Sequence, residues 1–246
     1  MKILLSIFLF AILLFSCKND NKITFSEPII EENKCTNCPV IEINIPNALP
    51  TSKTARTINT ALKEELILLL TFDDEKEVSS IETAIASFKN AFLELKEMHI
   101  NEAIEWEAII NGEVIYENKY VITILLNSYI FTGGAHGYSS ITYLNFNKDK
   151  GVEFENWELF KDKEGFTKLV EAKFRAQENM KEKTPINATG FMFEDNVFVL
   201  PENIGFTEEG MQLRYNPYEV ASYADGSILI NLSYSEIEKY LTIKIE

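Results

Sequence analysis

The sequence predicts an α+β fold: mostly antiparallel sheet with helices packed on one face, arranged as two intimately packed subdomains. Two observations carry this. Helical periodicity is confined to two stretches before residue 100 and one after residue 160, while period-two patterns fill much of the remainder. The order of helices, meander, single helix and further strands also lacks the regular strand–helix alternation of a parallel α/β sheet.

The elements follow in chain order. Residues 57–70 set Ile58, Ala61, Leu62, Leu66 and Leu69 at helical spacing, and residues 80–98 do the same with Ile81, Ala84, Ile85, Phe88, Phe92 and Leu95. Between them Asp73, Asp74, Glu75 and Glu77 suit a loop and the positive end of the second helix. From Ile104 the period becomes two, with Trp106, Ala108 and Ile110 on one side, and Asn111-Gly112 predicts a two-residue turn into residues 113–117. Strands over residues 119–131 and 138–147 follow, then a turn over residues 147–151, the segment Trp157-Glu158-Leu159-Phe160, and a helix over residues 163–180. The tail reads as strands at 191–200, 211–215 and 227–233, a helical turn at 235–241 and a last strand at 242–245.

Met1-Lys2, an apolar run from Ile3 to Phe15 and then Ser16-Cys17 have the layout of an export signal. The run is too short for a comfortable transmembrane helix, which needs roughly 20 apolar residues. Leu14-Phe15-Ser16-Cys17 fits a bacterial lipobox, so residues 1–16 are expected to be a lipoprotein signal peptide and Cys17 the lipidated N-terminus. Acyl chains on Cys17 would anchor the protein to the bacterial cell envelope, at the periplasmic or outer-membrane surface. Residues 17–39, polar from Lys18 to Asn33, are expected to be a flexible stalk. It carries Cys35-Thr36-Asn37-Cys38, read as a small local disulfide, since no further Cys or His pair completes a zinc site. No metal and no cofactor is expected.

Asp and Glu total 38 against 23 Lys and Arg, for a net charge of −15. Nucleic acid is thereby an unsuitable partner, because phosphate binding requires a basic footprint. An acidic field instead speeds encounter with a cationic protein.

The sharpest local feature is Thr132-Gly133-Gly134-Ala135-His136-Gly137, where a long apolar strand stops at three glycines around one of two histidines. Such a sequence calls for backbone angles that side chains disfavour. His136 is a weak candidate for catalysis, since no nucleophile elbow or orienting acid stands near it in the sequence, and a structural hydrogen bond within the loop is the preferred reading. His99, at the end of a predicted helix, is explained as a cap. Tyr215-Asn216-Pro217-Tyr218 is the second candidate: a proline-preset turn that displays two tyrosines suits an interface. Paired carboxylates at Asp73-Asp74, Glu208-Glu209 and Glu105 with Glu107 imitate a glycosidase pair but are read as solvated faces.

Several segments occur together in one order: Tyr129 to Gly137, Leu159-Phe160, Phe198-Val199-Leu200-Pro201, Gly205-Phe206-Thr207-Glu208-Glu209-Gly210, and Tyr215-Asn216-Pro217-Tyr218-Glu219-Val220-Ala221 with Gly226. This pattern resembles the extracellular part of the RsiV family of anti-sigma factors. The resemblance implies a PdaC-type α+β domain over residues 40–137 and an RsiV-type C-terminal α+β domain over residues 138–246. With the lipid anchor read from Cys17 in place of the family's spanning helix, it implies a non-catalytic binding protein that recognises lysozyme, another cationic wall-lytic protein, or peptidoglycan. The binding residues expected on these grounds are Gly133, Gly134, His136, Gly137, Tyr215, Asn216, Pro217 and Tyr218. The alternative is a peptidoglycan-modifying enzyme, or an accessory to one, that uses His136 and nearby carboxylates.

Overall fold

The period-two stretches assemble into a six-stranded sheet in chain order: β1 (Ile29–Asn33), β2 (Val40–Ile45), β3 (Glu107–Glu117), β4 (Val121–Phe131), β5 (Tyr138–Asn147) and β6 (Val152–Glu153). All neighbours are antiparallel except β2 and β3. The computed structural model describes residues 22–33, 37–72, 78–99 and 105–245. Cys17, Cys35, Asp73, Asp74 and Ile104 lie outside the described residues. Cys38 is disulfide-bonded.

Two helices cover one face of this sheet. In α1 (Lys53–Leu70) the cap is Ser52, whose hydroxyl accepts from the Ala55 N–H, and Ile58, Leu62 and Leu66 point inward. In α2 (Ile81–Met98) Ser80 and Thr83 form a reciprocal capping box, and Ala84, Phe88 and Phe92 are buried. These meet Ile41, Ile43, Ile45, Ala108, Ile110, Ile122, Ile124, Leu126, Leu144 and Phe146 in one core. Even-numbered residues of β4 and β5 thus face the helices, as a strand's two-residue period requires.

The opposite face receives the C-terminal part. A three-stranded antiparallel sheet, β7 (Asn203–Phe206), β8 (Gly210–Tyr215) and β9 (Ile228–Ser233), packs with α3 (Lys163–Gln177) and the short α4 (Tyr234–Ile237) around a second, aromatic-rich core. The two halves are sewn together by polar bonds: the Tyr143 hydroxyl donates to Gln212 at 2.7 Å and the Asn145 amide to the Ile204 carbonyl at 2.6 Å. The fold is α+β with mostly antiparallel sheet, as the sequence predicts.

Several expectations are corrected. Asn111-Gly112 makes no turn: β3 runs straight through it, pairing Asn111 with Asn127 and Gly112 with Leu126. Glycine is required there by crowding, since a Cβ would stand 2.9 Å from both the Leu126 and Pro46 side chains. The hairpin turn comes later, where the Asn118 carboxamide oxygen accepts from the N–H groups of Tyr120 and Val121. Of the segment expected as a stalk, residues 23–33 are folded: Ile23 is buried, Phe25 bridges to Ala48, and β1 pairs along β2. Its few apolar residues, Ile23, Phe25 and Ile29, alternate onto the core side despite the polar composition. Gly137, where the two domains are expected to meet, lies in the connection between β4 and β5 of the six-stranded sheet. Residues 191–200 and 242–245 form no strands, and β7 is a strand that the turn-like Gly205-Phe206-Thr207 pattern conceals.

Candidate functional site

β4 and β5 are joined by the glycine loop, and the loop's geometry follows from its residues. Gly133 and Gly134 adopt φ of 98° and 89°, angles closed to ordinary side chains. Gly137 is buried against the Tyr129 ring, so close that any Cβ on it would enter the ring. Between these fixed points His136 is lifted to the surface.

The second candidate segment arrives at the same place from β8. Tyr215 ends that strand 2% exposed, with its hydroxyl bonded to the Val199 carbonyl, and so belongs to the core. Asn216, also buried, joins its carboxamide to β5 both ways: the oxygen accepts from Ile141 N–H at 2.9 Å and the amide donates to Ile141 carbonyl at 3.0 Å. This pair of hydrogen bonds docks the turn against β5, close to where the strand leaves the glycine loop. Tyr138 in turn donates to the Pro217 carbonyl at 3.2 Å.

The result is a cluster of rings. His136 lies on Tyr223 with centroids 3.6 Å apart and planes 10° from parallel. Tyr218 flanks both, its hydroxyl 3.5 Å from His136 Nε2. The backbone of Tyr218 is left-handed, φ 71°, a conformation rare for an aromatic residue, and 55% of the residue faces solvent. The Tyr223 hydroxyl donates to the Gly137 carbonyl at 3.0 Å, which His136 Nδ1 also meets at 3.1 Å. A cleft of about 320 Å³ beside the rings is lined by Asn127, Ser139, Ser140, Pro217, Tyr223 and Ser227, among others. Burial, then the neighbouring Glu219, push the Tyr138 phenol up from its usual range.

Of the sequence candidates, the structure brings Gly133, Gly134, His136, Gly137, Pro217 and Tyr218 into one surface and turns Tyr215 and Asn216 inward as its supports. Tyr223 and Tyr138 complete the cluster. Neither is marked in the sequence, because nothing local to Ser222-Tyr223-Ala224 reveals that it folds back on a loop formed much earlier. His99 caps α2, as expected. Glu208 and Glu209 are exposed in the β7–β8 turn, and Glu105, also exposed, precedes β3. Among the described residues no group of three His, Cys, Asp or Glu is placed to hold a metal ion.

A larger groove of about 770 Å³ follows the seam between the halves and is lined by Glu65, Glu153, Glu155 and Glu202 with the exposed Trp157. Desolvation, then the charges of Glu65, Glu155 and Glu64, push the Glu153 carboxyl up to about 7. Glu219, held above the usual carboxylate range chiefly by burial, also feels Glu202. Carboxylates therefore connect the groove with the ring cluster.

Fold and surface together define a two-core α+β protein that displays an aromatic cluster at the seam of its halves. The chain joins two known kinds of domain: residues 29–139 match the family model for deacetylase PdaC, and residues 158–235 match that of a protein family of unknown function, DUF3298. Its fold is shared by a DUF3298-family protein of Bacteroides fragilis, with a TM-score of 0.67 at 19% identity over 92% of this chain and 96% of that one. A DUF3298-family protein of Pseudomonas aeruginosa gives 0.66 at 16% identity, over 91% and 96% respectively. No curated protein matches.

Proposed function

We propose that this is a non-catalytic, lipid-anchored binding protein of the bacterial cell envelope that recognises a cationic wall-lytic protein such as lysozyme, in the manner of the RsiV family. The observation that carries the reading is the convergence of two distant segments on one exposed ring cluster, His136, Tyr218 and Tyr223, with Tyr138 beside it. Rigid aromatic rings with polar tips are favoured interface anchors, since they bury large area at little entropic cost. The left-handed Tyr218 supports it further, because backbone strain of this kind collects where a side chain must be displayed. Around the rings Glu219 and Glu202 lead into the acidic groove, giving a cationic partner charge complementarity.

In this reading His136 is a contact residue. Its Nδ1 is held by the Gly137 carbonyl and its ring by Tyr223, which fixes its orientation without supplying an acid. A second reading, peptidoglycan itself, is favoured by the small cleft next to the rings, where Asn127, Ser139 and Ser227 offer hydrogen bonds to a sugar stacked on an aromatic face. The test is lysozyme titrated onto the immobilised protein at two ionic strengths. Binding that weakens steeply with salt supports the proposal. Absence of binding at low salt, together with retention on purified peptidoglycan, would transfer the assignment to the second reading. Hydrolysis or deacetylation of peptidoglycan that His136→Ala abolishes without loss of thermal stability would reveal an enzyme instead.

A further inference from the structure

The chain enters the fold at the end of the large sheet opposite the ring cluster. Ile23 N–H donates to Glu117 Oε1 at 2.7 Å, beside the β3–β4 turn, whereas the glycine loop joins β4 to β5 at the other end. β4 has 11 residues, so these ends stand about 35 Å apart at the usual strand rise.

The entry end is tightly knit. Lys148, itself buried, donates to Glu117 at 2.7 Å and to the Asn118 carbonyl at 2.8 Å. Lys53 Nζ donates to the Lys150 carbonyl at 3.0 Å, the Thr54 hydroxyl to the Lys148 carbonyl at 3.3 Å, and the Thr57 hydroxyl to the Gly151 carbonyl at 2.9 Å. Thr24 accepts from Leu49 N–H, and Pro50 from Arg56. These bonds gather five exposed cations, Lys22, Lys53, Arg56, Lys119 and Lys150, on one end of the molecule. Their acidic neighbours are Glu27, Asp149 and, past Tyr116, Glu208, while Glu117 is already paired with Lys148. On a chain of net charge −15 this is a local reversal of sign.

We propose that this end is a membrane-facing surface that docks on anionic lipid headgroups, so that the ring cluster is presented away from the bilayer. Two facts select the occupant. The charge is complementary to anionic lipid, whose attraction acts within a Debye length of roughly 8–10 Å. Residues 1–21, outside the described ones, also lead into this end: from Cys17 to Lys22 even an extended chain spans no more than ~18 Å, so an anchor at Cys17 holds this end near the membrane. The geometry rests on the lipid-anchored reading, whereas the charge does not.

The test is amine footprinting of the full chain in vesicles, with a lysine-acylating reagent and mass spectrometry. Vesicles with about one-third anionic lipid are compared with wholly zwitterionic ones. Labelling of Lys22, Lys53, Lys119 and Lys150 should fall at least about threefold on the anionic vesicles, and return at ~0.5 M salt. Lys181 and Lys183, which follow α3 toward Tyr215, should be unaffected. In the triple variant Lys22→Glu, Lys119→Glu, Lys150→Glu, with folding checked by its melting curve, Lys53 should label equally on both vesicles. Equal labelling of the wild-type lysines on both would overturn the proposal. The mass of the N-terminal peptide separates the two readings: an acylated chain without protection removes the docking surface and keeps the anchor, and protection of an unacylated chain does the reverse.

Discussion

The His136 imidazole lies flat on the Tyr223 ring, 3.6 Å between centroids, and the same tyrosine's hydroxyl donates to the carbonyl of Gly137. One side chain therefore holds both the ring and the backbone of a loop that belongs to the other half of the molecule. His136, only a weak candidate for catalysis in the sequence, is held at the surface by these contacts, with its Nε2 toward the exposed Tyr218.

Tyr223 should consequently matter twice. Tyr223→Phe removes the hydrogen bond and keeps the stack, at a cost of about 0.5–1.5 kcal/mol. Tyr223→Ala removes the stack as well, adding a further 0.5–1.5 kcal/mol or so beyond lost burial. Denaturant unfolding of both variants separates the contributions, and equal losses would show that the ring contact carries no energy.

The glycine loop makes a contrast between space and angle. Gly137→Ala drives a methyl into Tyr129 and should destabilise by about 1–3 kcal/mol through overpacking. At Gly133 and Gly134 a Cβ meets nothing within 4 Å, so alanine there carries only the strain of positive φ, roughly 1 kcal/mol. Melting curves of the three variants should rank Gly137→Ala as the most damaging.

Lys148 and Glu117 form an ion pair with side chains only 1% and 10% exposed. Lys148→Met leaves the carboxylate with its bond from Ile23 and no cation, which should cost about 3–5 kcal/mol. Adding Glu117→Gln removes the stranded charge and should recover much of that loss. A double-mutant cycle measures it, and additive losses would argue against coupling.

Glu153 has a folded pKa of about 7 against 4.5 for a free glutamate. The folded chain binds its proton more readily than the unfolded chain does, so this group favours folding below pH 4.5 and loses that contribution as the pH rises through 7. Glu153→Gln mimics the protonated form. It should leave stability unchanged near the lower limit and raise it above neutrality, by no more than about 1 kcal/mol because the carboxyl reaches solvent. Melting temperatures across that range check the sign.

Much of the architecture was legible because it is periodic. Ile58, Leu62 and Leu66 repeat at helical spacing and do face the core, and the alternation from Trp106 to Ile110 does mark a strand. What misled was local chemistry overruled by distant partners. Asn111-Gly112 has the composition of a turn, yet Gly112 is there to admit Leu126 and Pro46. Residues 22–33 look too polar to fold, yet three alternating apolar side chains and the edge of β2 suffice. At the site, the glycine loop and Pro217-Tyr218 are both conspicuous in the sequence, but that they meet depends on Asn216 bonding Ile141, which no local pattern announces. Tyr223 was invisible for the same reason.

In the proposed function the rings of His136, Tyr218 and Tyr223 form the recognition surface. Calorimetric titration of lysozyme into the wild type and into Tyr218→Ala separates recognition from folding, because Tyr218 is 55% exposed and alanine keeps the Cβ and with it the backbone conformation. Affinity should fall by at least about 2 kcal/mol, the scale of an interface hot spot, in a variant that still unfolds cooperatively. Lysozyme binding that is unchanged by Tyr218→Ala, in a correctly folded variant, would contradict it.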